Sequence, residues 1–216
     1  MGDNMKPIIG IVTRPTLSEG KNKMMSVYDD LRKSIIKSGG IPLGIMPLNI
    51  ELNDFNDEIF QIIKNIDGII FQGGDSFYDY EQECMKYAYK KNIPTLGICL
   101  GMQMMGCLFN GDVIKINGIN HKQREKQYVH DVFIKKDSLL YSILKTDRIK
   151  VNSRHQDTII NPDLEITAIS TDGIIEAIEA KNKKFFLGLQ WHPESMTSYD
   201  ILESRIFDYF VNACRK

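Results

Sequence analysis

Four short apolar runs punctuate the first 110 residues, and each is followed by a segment of helical periodicity. Residues 8–12 are almost wholly β-branched and do not alternate with polar positions, the pattern of a strand buried on both faces. Leu31, Ile35 and Ile36 recur at helical spacing over 28–37, and Gly39-Gly40 supplies the stop. Further strands are expected at 41–46, 67–71 and 94–99. Helices are expected at 55–64, 81–91 and 100–109, with Asn53 or Asp54 capping the first of these. Strand–helix alternation with short connections is the signature of a parallel sheet covered by helices on both faces.

The second half reads differently. Strand-like runs fall at 127–134, 148–151, 164–170, 174–180 and 185–190. The third and fourth of these flank Thr171-Asp172-Gly173, which predicts an antiparallel hairpin. A last helix is expected over 200–213, with Ile201, Ile206, Phe207 and Phe210 on its apolar side. There is no internal repeat, low-complexity tract or linker. The expected architecture is a single α/β domain over 1–216, with a mostly parallel central sheet, helices on both faces and a small antiparallel portion.

Composition narrows the function classes. The chain has 216 residues, 43% hydrophobic and 25% charged, enough for a core that needs no disulfide or metal staple. Lys plus Arg number 27 and Asp plus Glu 28, a net charge of −1, so no global electrostatic case exists for nucleic acid or a membrane surface. No stretch approaches the roughly 20 apolar residues of a membrane helix. Residues 1–7 lack an apolar leader-like run, and Cys84, Cys99, Cys107 and Cys214 form no CxxC pair. A reducing cytoplasm is the expected location.

Chemistry gathers at the carboxyl edge of the expected parallel strands, where open α/β sheets bind ligands. An arbitrary cysteine is usually a packed core residue. Cys99 differs, because Gly97-Ile98-Cys99-Leu100-Gly101 lies at a strand-to-helix junction, with small residues relieving the crowding of a tight turn. A helix N-terminus there favours thiolate, and the Leu100 amide can donate to an oxyanion. Gly73-Gly74, after the preceding strand, lets backbone approach a ligand closely. A thiol nucleophile needs a base and an orienting group. Among the four histidines, His192 follows a strand and has Glu194 two residues on. His155 lies in a polar segment, 152–157, that is either a solvated connection or a binding rim. His121 is expected in a surface loop and His130 as a structural residue within a strand. No histidine pair has the helical spacing of a metal motif, so no metal site is expected.

Three motifs now stand in order: Phe71-Gln72-Gly73-Gly74-Asp75, Gly97-Ile98-Cys99-Leu100-Gly101-Met102-Gln103 and Gln190-Trp191-His192-Pro193-Glu194. Together they resemble the class I glutamine amidotransferase superfamily, whose fold is flavodoxin-like. The segment Asn152-Ser153-Arg154-His155-Gln156, the opening Lys6-Pro7-Ile8-Ile9-Gly10-Ile11 and Gly39-Gly40-Ile41-Pro42 resemble its γ-glutamyl-γ-aminobutyrate hydrolase-like branch, the C26 peptidases. The resemblance implies Cys99 as nucleophile, His192 as base and Glu194 as its orienting partner. It implies Gly74 and Leu100 as oxyanion donors, and Gly73, Gln103, Ser153 and His155 as substrate-binding residues. Two features depart from the hydrolase branch: Leu100 stands where that branch often has Arg, and only a short stretch separates Asp75 from Thr95.

The function so implied is a cysteine hydrolase of γ-glutamyl amides that works through a γ-glutamyl thioester and needs no cofactor or metal. The partner is a small γ-glutamyl substrate, with neither nucleic acid nor membrane. A homodimer stays open. The first alternative is a glutaminase subunit that passes ammonia to a separate synthase; Leu100 and the compact loop favour it. The second is a non-catalytic sensor or interaction module on the same fold, against which the full Cys99, His192, Glu194 set speaks. The amine half of the substrate is not readable, although the acidic, aromatic stretch 75–83 suits a cationic amine.

Overall fold

The computed structural model describes residues 5–47, 57–117 and 121–216, with residues 57 and 58 described in backbone only. The elements run β1 (Ile8–Val12), β2 (Arg14–Leu17), β3 (Lys23–Ser26), α1 (Asp29–Lys37), β4 (Ile41–Ile45), α2 (Asp57–Ile63), β5 (Gly68–Phe71), α3 (Asp79–Lys90), β6 (Thr95–Ile98) and α4 (Leu100–Leu108). They continue with β7 (Asp112–Lys115), β8 (His130–Ile134), α5 (Leu139–Leu144), β9 (Arg148–Val151), β10 (Asp157–Ile160), β11 (Glu165–Ser170), β12 (Ile175–Glu179), β13 (Phe186–Leu189) and α6 (Ile201–Ala213). Every element read from the pattern is present within a few residues of its expected ends. The proposed caps Asn53 and Asp54, and the start of the 55–64 helix, lie outside the described residues.

The main sheet has nine strands in the order β4-β1-β5-β6-β13-β12-β11-β8-β9. Strands β4, β1, β5, β6 and β13 pair in parallel, and the remaining junctions are antiparallel. Five of the nine strands thus form the parallel block, and the antiparallel portion runs from β13 to β9. The hairpin around Asp172 is β11–β12, as the turn residues implied.

Alternation along the parallel strands explains why both faces are covered. Ile9, Ile11, Ile70, Leu96 and Ile98 enter one apolar cluster with Leu31 of α1 and Phe207 and Phe210 of α6. Val12, Ile69 and Phe71 enter the other with Cys84 and Met85 of α3 and Met102 and Met105 of α4. Strands β5, β6 and β13 are buried throughout, as runs without polar alternation should be. No helix among the described residues is long and apolar enough to cross a membrane.

Three pieces escaped the pattern. The β2–β3 hairpin is largely exposed, and Pro15 lies inside β2, so neither alternation nor β-propensity marks it. Strands β7 and β10 pair only with each other in a separate two-stranded sheet. Helix α5 has six residues, too few to show a period, and is held by tertiary contacts. Ser138 caps it by accepting from the Tyr141 amide at 3.0 Å, and the Glu179 carboxylate accepts from the Leu139 amide at 2.9 Å.

Helix α6 starts at an Asp200 cap and packs behind the end of β13. There the Trp191 indole donates to Glu203 at 2.9 Å, with Trp191 fully buried and Glu203 nearly so. Burial pushes the Glu203 carboxyl up to about 8, against the lowering effect of the indole bond, and the charges of Asp200 and Glu194 push it further. A carboxyl raised above its unfolded value of about 4.3 gives stability that is complete below that value and lost as pH rises through the folded one. Glu203→Gln is therefore expected to gain on the wild type as pH rises from about 5 to above 8, read as the difference between the two melting temperatures across that range.

Candidate functional site

The site forms where the parallel strands end. The sheet order places β4 and β5 on opposite sides of β1, so the chain direction diverges there and a crevice opens at the carboxyl edge. The connections after β1, β5, β6 and β13 meet in that crevice and deliver Arg14, Gly73-Gly74, Cys99 and His192.

Cys99 is the hinge between β6 and α4. Its backbone has φ +53° and ψ −105°, a left-handed geometry that a residue with a side chain adopts only under constraint. The surroundings impose it. The Cys99 amide donates to the Leu189 carbonyl of β13 at 2.7 Å, while the Cys99 carbonyl accepts from Gln103 at 3.0 Å as α4 begins. The flanking glycines are required on steric grounds: a Cβ at Gly97 would lie 2.8 Å from the Gly101 carbonyl, and one at Gly101 would collide with the carbonyl of Phe71. Leu100 opens α4, where first-turn amides have no partner within the helix. Burial pushes Cys84 up to about 12 and also raises Cys107 and Cys214, which keeps them protonated at neutral pH.

His192 follows β13. Asn152 clasps its backbone on both sides: the Asn152 amide donates to the His192 carbonyl at 2.8 Å, and the His192 amide donates to Asn152 Oδ1 at 2.9 Å. The imidazole Nδ1 lies 2.7 Å from Glu194 Oε1. Pro193–Ser195 forms a single 3-10 turn that sets this His-x-Glu spacing. The ring shares the cleft with Cys99 and packs against Gly73, where a Cβ would lie 2.9 Å from His192 Cε1 and 3.5 Å from Cys99 Cβ. Burial alone would lower the imidazole pKa. The Glu194 charge, with Cys99 beside the ring, outweighs it and holds the group up at about 10.

The cleft in front of these groups has a volume of about 310 Å³. Gly74, Cys99, His192 and Glu194 line it, with Tyr28 and Asp30, Asp75, Ser195 and the two cations Arg124 and Arg154. Sequence reasoning missed Tyr28, Asp30, Arg124, Arg154 and Ser195, since none belongs to a recognisable spacing. Arg154 had a signal, because it stands between two flagged residues. A buried pair supports the wall at 73–76. Arg14 binds Glu81 at 2.6 Å, donates to the Ser76 carbonyl, and fills the space a side chain at Gly74 would need. Burial raises Glu81 to about 7 despite the guanidinium. Of the acidic stretch 75–83, then, Asp75 faces the cleft while Glu81 is an interior ion-pair partner.

Three expected substrate contacts, Gln103, Ser153 and His155, are not among the residues that line this cleft. Gln103 is buried, and its amide donates to the Asp157 carbonyl at 3.0 Å and to Gln190 Oε1 at 3.1 Å. Ser153 faces His121 Nδ1 at 3.2 Å, and His155 bonds the Asp157 carbonyl at 3.0 Å. The 153–155 stretch alternates in direction, so Arg154 points out where its neighbours point in. His121 is likewise interior rather than on a surface loop, since Asp172 accepts from its Nε2 at 2.9 Å.

A strand-to-helix thiol, a carboxylate-held imidazole and the start of α4 thus meet at one cleft. Residues 78–194 match the model of the peptidase C26 family, and the chain belongs to that family and is a C–N hydrolase. It is 32% identical to a putative glutamine amidotransferase of Schizosaccharomyces pombe over 209 residues, covering 83% of this chain and 79% of that one. It is 25% identical to the γ-glutamyl-γ-aminobutyrate hydrolase PuuD of Escherichia coli, covering 97% and 94%. The glutaminase domain of a CTP synthase from Trypanosoma brucei shares the fold, with a TM-score of 0.74 at 19% identity over 96% of this chain and 93% of that one.

An opposite charge within hydrogen-bonding distance of an imidazole is worth about 1–3 pK units. Glu194→Gln is therefore expected to lower the pH at which His192 loses its proton by about that amount. NMR titration of the His192 ring would read the shift directly.

Proposed function

We propose that the protein hydrolyses γ-glutamyl amides through a γ-glutamyl thioester on Cys99. The observation that carries this reading is the 2.7 Å His192–Glu194 contact, in a ring that shares the cleft with Cys99 at a strained elbow. His192, oriented by Glu194, takes the Cys99 proton and gives the attacking thiolate. The thiolate attacks the γ-carbonyl carbon, and the oxygen takes the negative charge between the amides of Gly74 and Leu100. The tetrahedral intermediate collapses, the C–N bond breaks, and His192 gives its proton to the departing amine. The neutral imidazole then accepts a proton from water as that water attacks the thioester. The thiolate is expelled, glutamate leaves and Cys99 is free for the next turnover.

Cleft chemistry supports a glutamyl group. Arg124 and Arg154 present cationic donors for its α-carboxylate, and Asp30 and Asp75 present carboxylates for its α-amino group. Arg154 is aimed by its 2.9 Å bond to Ser195. Gln103, Ser153 and His155 act behind the wall, holding β10 and the 152–156 segment in place. The similarity to PuuD supports a γ-glutamyl amine as substrate.

The second reading, a glutaminase that supplies ammonia to a separate synthase, draws on the likeness to a CTP synthase glutaminase domain and on Leu100. The two readings separate in one assay. Purified protein alone is offered glutamine and a set of γ-glutamyl amines, and glutamate release is followed. Rapid release from a γ-glutamyl amine, lost to background in Cys99→Ala, is the expected result. Slow release from glutamine alone would replace the first reading by the second. Arg154→Ala should raise KM about 10- to 100-fold with a smaller change in kcat, the loss of a charged hydrogen bond to the substrate.

A further inference from the structure

Behind the cleft wall, three histidines and a glutamate from four separate segments converge in the protein interior. His121 precedes the bridge to Arg154, His130 opens β8, His155 links β9 to β10, and Glu176 lies in β12. Glu176 is fully buried, and the three imidazoles are at least nine-tenths buried. The His121 ring centroid lies 4.7 Å from that of His130 and 4.9 Å from that of His155. Around Glu176 Oε1 stand His130 Nε2 at 2.9 Å, His155 Nε2 at 3.7 Å and His121 Nδ1 at 3.9 Å.

The outer hydrogen bonds fix which nitrogens face inward as lone pairs. The Asp172 carboxylate can only accept, so His121 carries its proton on Nε2, 2.9 Å from Oδ2. Asp172 is itself held by the Ser170 hydroxyl at 2.5 Å. The Asp157 carbonyl likewise can only accept, so His155 carries its proton on Nδ1, at 3.0 Å. The remaining nitrogens, His121 Nδ1 and His155 Nε2, are then lone pairs directed at a carboxylate. The Ser153 hydroxyl, 3.2 Å from His121 Nδ1, can donate to that nitrogen while it is free. Ligating histidines usually show this arrangement, one ring nitrogen bound to a carboxylate or carbonyl and the other presented to a metal.

Buried acceptors facing one another need a positive centre. Among the described residues, both nitrogens of His130, His155 Nε2 and both oxygens of Glu176 have no hydrogen-bond partner. The 2.9 Å approach of His130 Nε2 to Glu176 Oε1 lacks hydrogen-bond geometry. Tetrahedral bonds of about 2.0–2.1 Å separate ligand atoms by about 3.3–3.5 Å, and the observed 2.9–3.9 Å distances bracket that spacing. One ligand atom from each of His121, His130 and Glu176 lies within 4.8 Å of the other two.

We propose that His121, His130 and Glu176 bind one divalent transition-metal ion, with nitrogen-rich ligation of the kind zinc takes, while His155 faces the same carboxylate at 3.7 Å. The ion ties the antiparallel half of the sheet to the 152–156 segment. That segment carries Asn152, which clasps His192, and Arg154, which lines the cleft. The site is a brace behind the catalytic wall and takes no part in bond making. Its ligands have no helical spacing because they come from separate segments that meet only in the folded chain.

The test uses the whole protein, stripped with a chelator and reloaded with Zn²⁺ or Co²⁺, with unbound ion removed. Expected results are one equivalent of metal per chain by elemental analysis and visible d–d bands of four- or five-coordinate Co²⁺. At about 100-fold excess of Zn²⁺ over its dissociation constant, Tm should rise by about 5–10 °C. Cys99→Ala should retain the metal, while Glu176→Gln and His130→Ala should lose it. The wild-type measurements stand even if a variant fails to fold. Wild-type protein that takes up no stoichiometric metal, with no Tm change and no d–d bands, would overturn the proposal. So would full retention of metal in both ligand variants.

Discussion

The backbone turn at Cys99 is the constraint on which the rest of the site depends. A side-chain-bearing residue at φ +53° costs on the order of 1–3 kcal/mol and persists only where its surroundings over-determine it. Here β6, β13, β5 and α4 all contribute. β13 accepts the Cys99 amide, α4 takes its carbonyl, and β5 packs so close that Gly101 can carry no side chain. The same contacts bring the end of β13 beside the end of β6. The thiol and the imidazole, 93 residues apart in sequence, therefore meet as a consequence of sheet order.

Electrostatics at this edge is a contest that burial loses at one place and wins at others. Desolvation alone would discharge His192, yet Glu194 at 2.7 Å, with Cys99 beside the ring, keeps it charged. At Glu203, an indole donor is too weak an opponent, and burial raises the carboxyl. At Glu81, even a guanidinium at 2.6 Å leaves the group raised, to about 7. The difference follows from partner type and from the number of donors that reach each charge. Breaking the Arg14–Glu81 pair would leave a buried charge without its partner, and the 73–76 wall of the cleft rests on that pair.

The antiparallel half of the sheet is part of the site's support. It carries the segment after β9, where Asn152 holds the His192 backbone and Arg154 faces the cleft. Inward residues of that segment, Ser153 and His155, join the buried cluster around Glu176. A single alternating stretch thus connects the cleft to the interior, one residue facing out between two facing in.

The parallel strands, the elbow and the His192–Glu194 pair were legible in the chain itself. Unbroken apolar runs signal burial on both faces, and a Gly-x-Cys-x-Gly junction is a local steric statement. The His-x-Glu spacing needs only one turn of backbone to close. What tertiary structure alone decided is everything that depends on which way a polar side chain points once distant segments meet. His121 looked like a loop residue until Asp172, 51 positions away, drew it inside. Gln103, Ser153 and His155 looked like substrate contacts, but their partners lie on β10 and beside the buried histidines. Hairpin β2–β3 and helix α5 carry too little local signal to be seen, because exposure removes the periodicity of one and shortness that of the other. Local sterics and hydrophobic period are encoded within a few neighbouring residues, whereas the direction of a polar side chain is set by partners that only the folded sheet assembles.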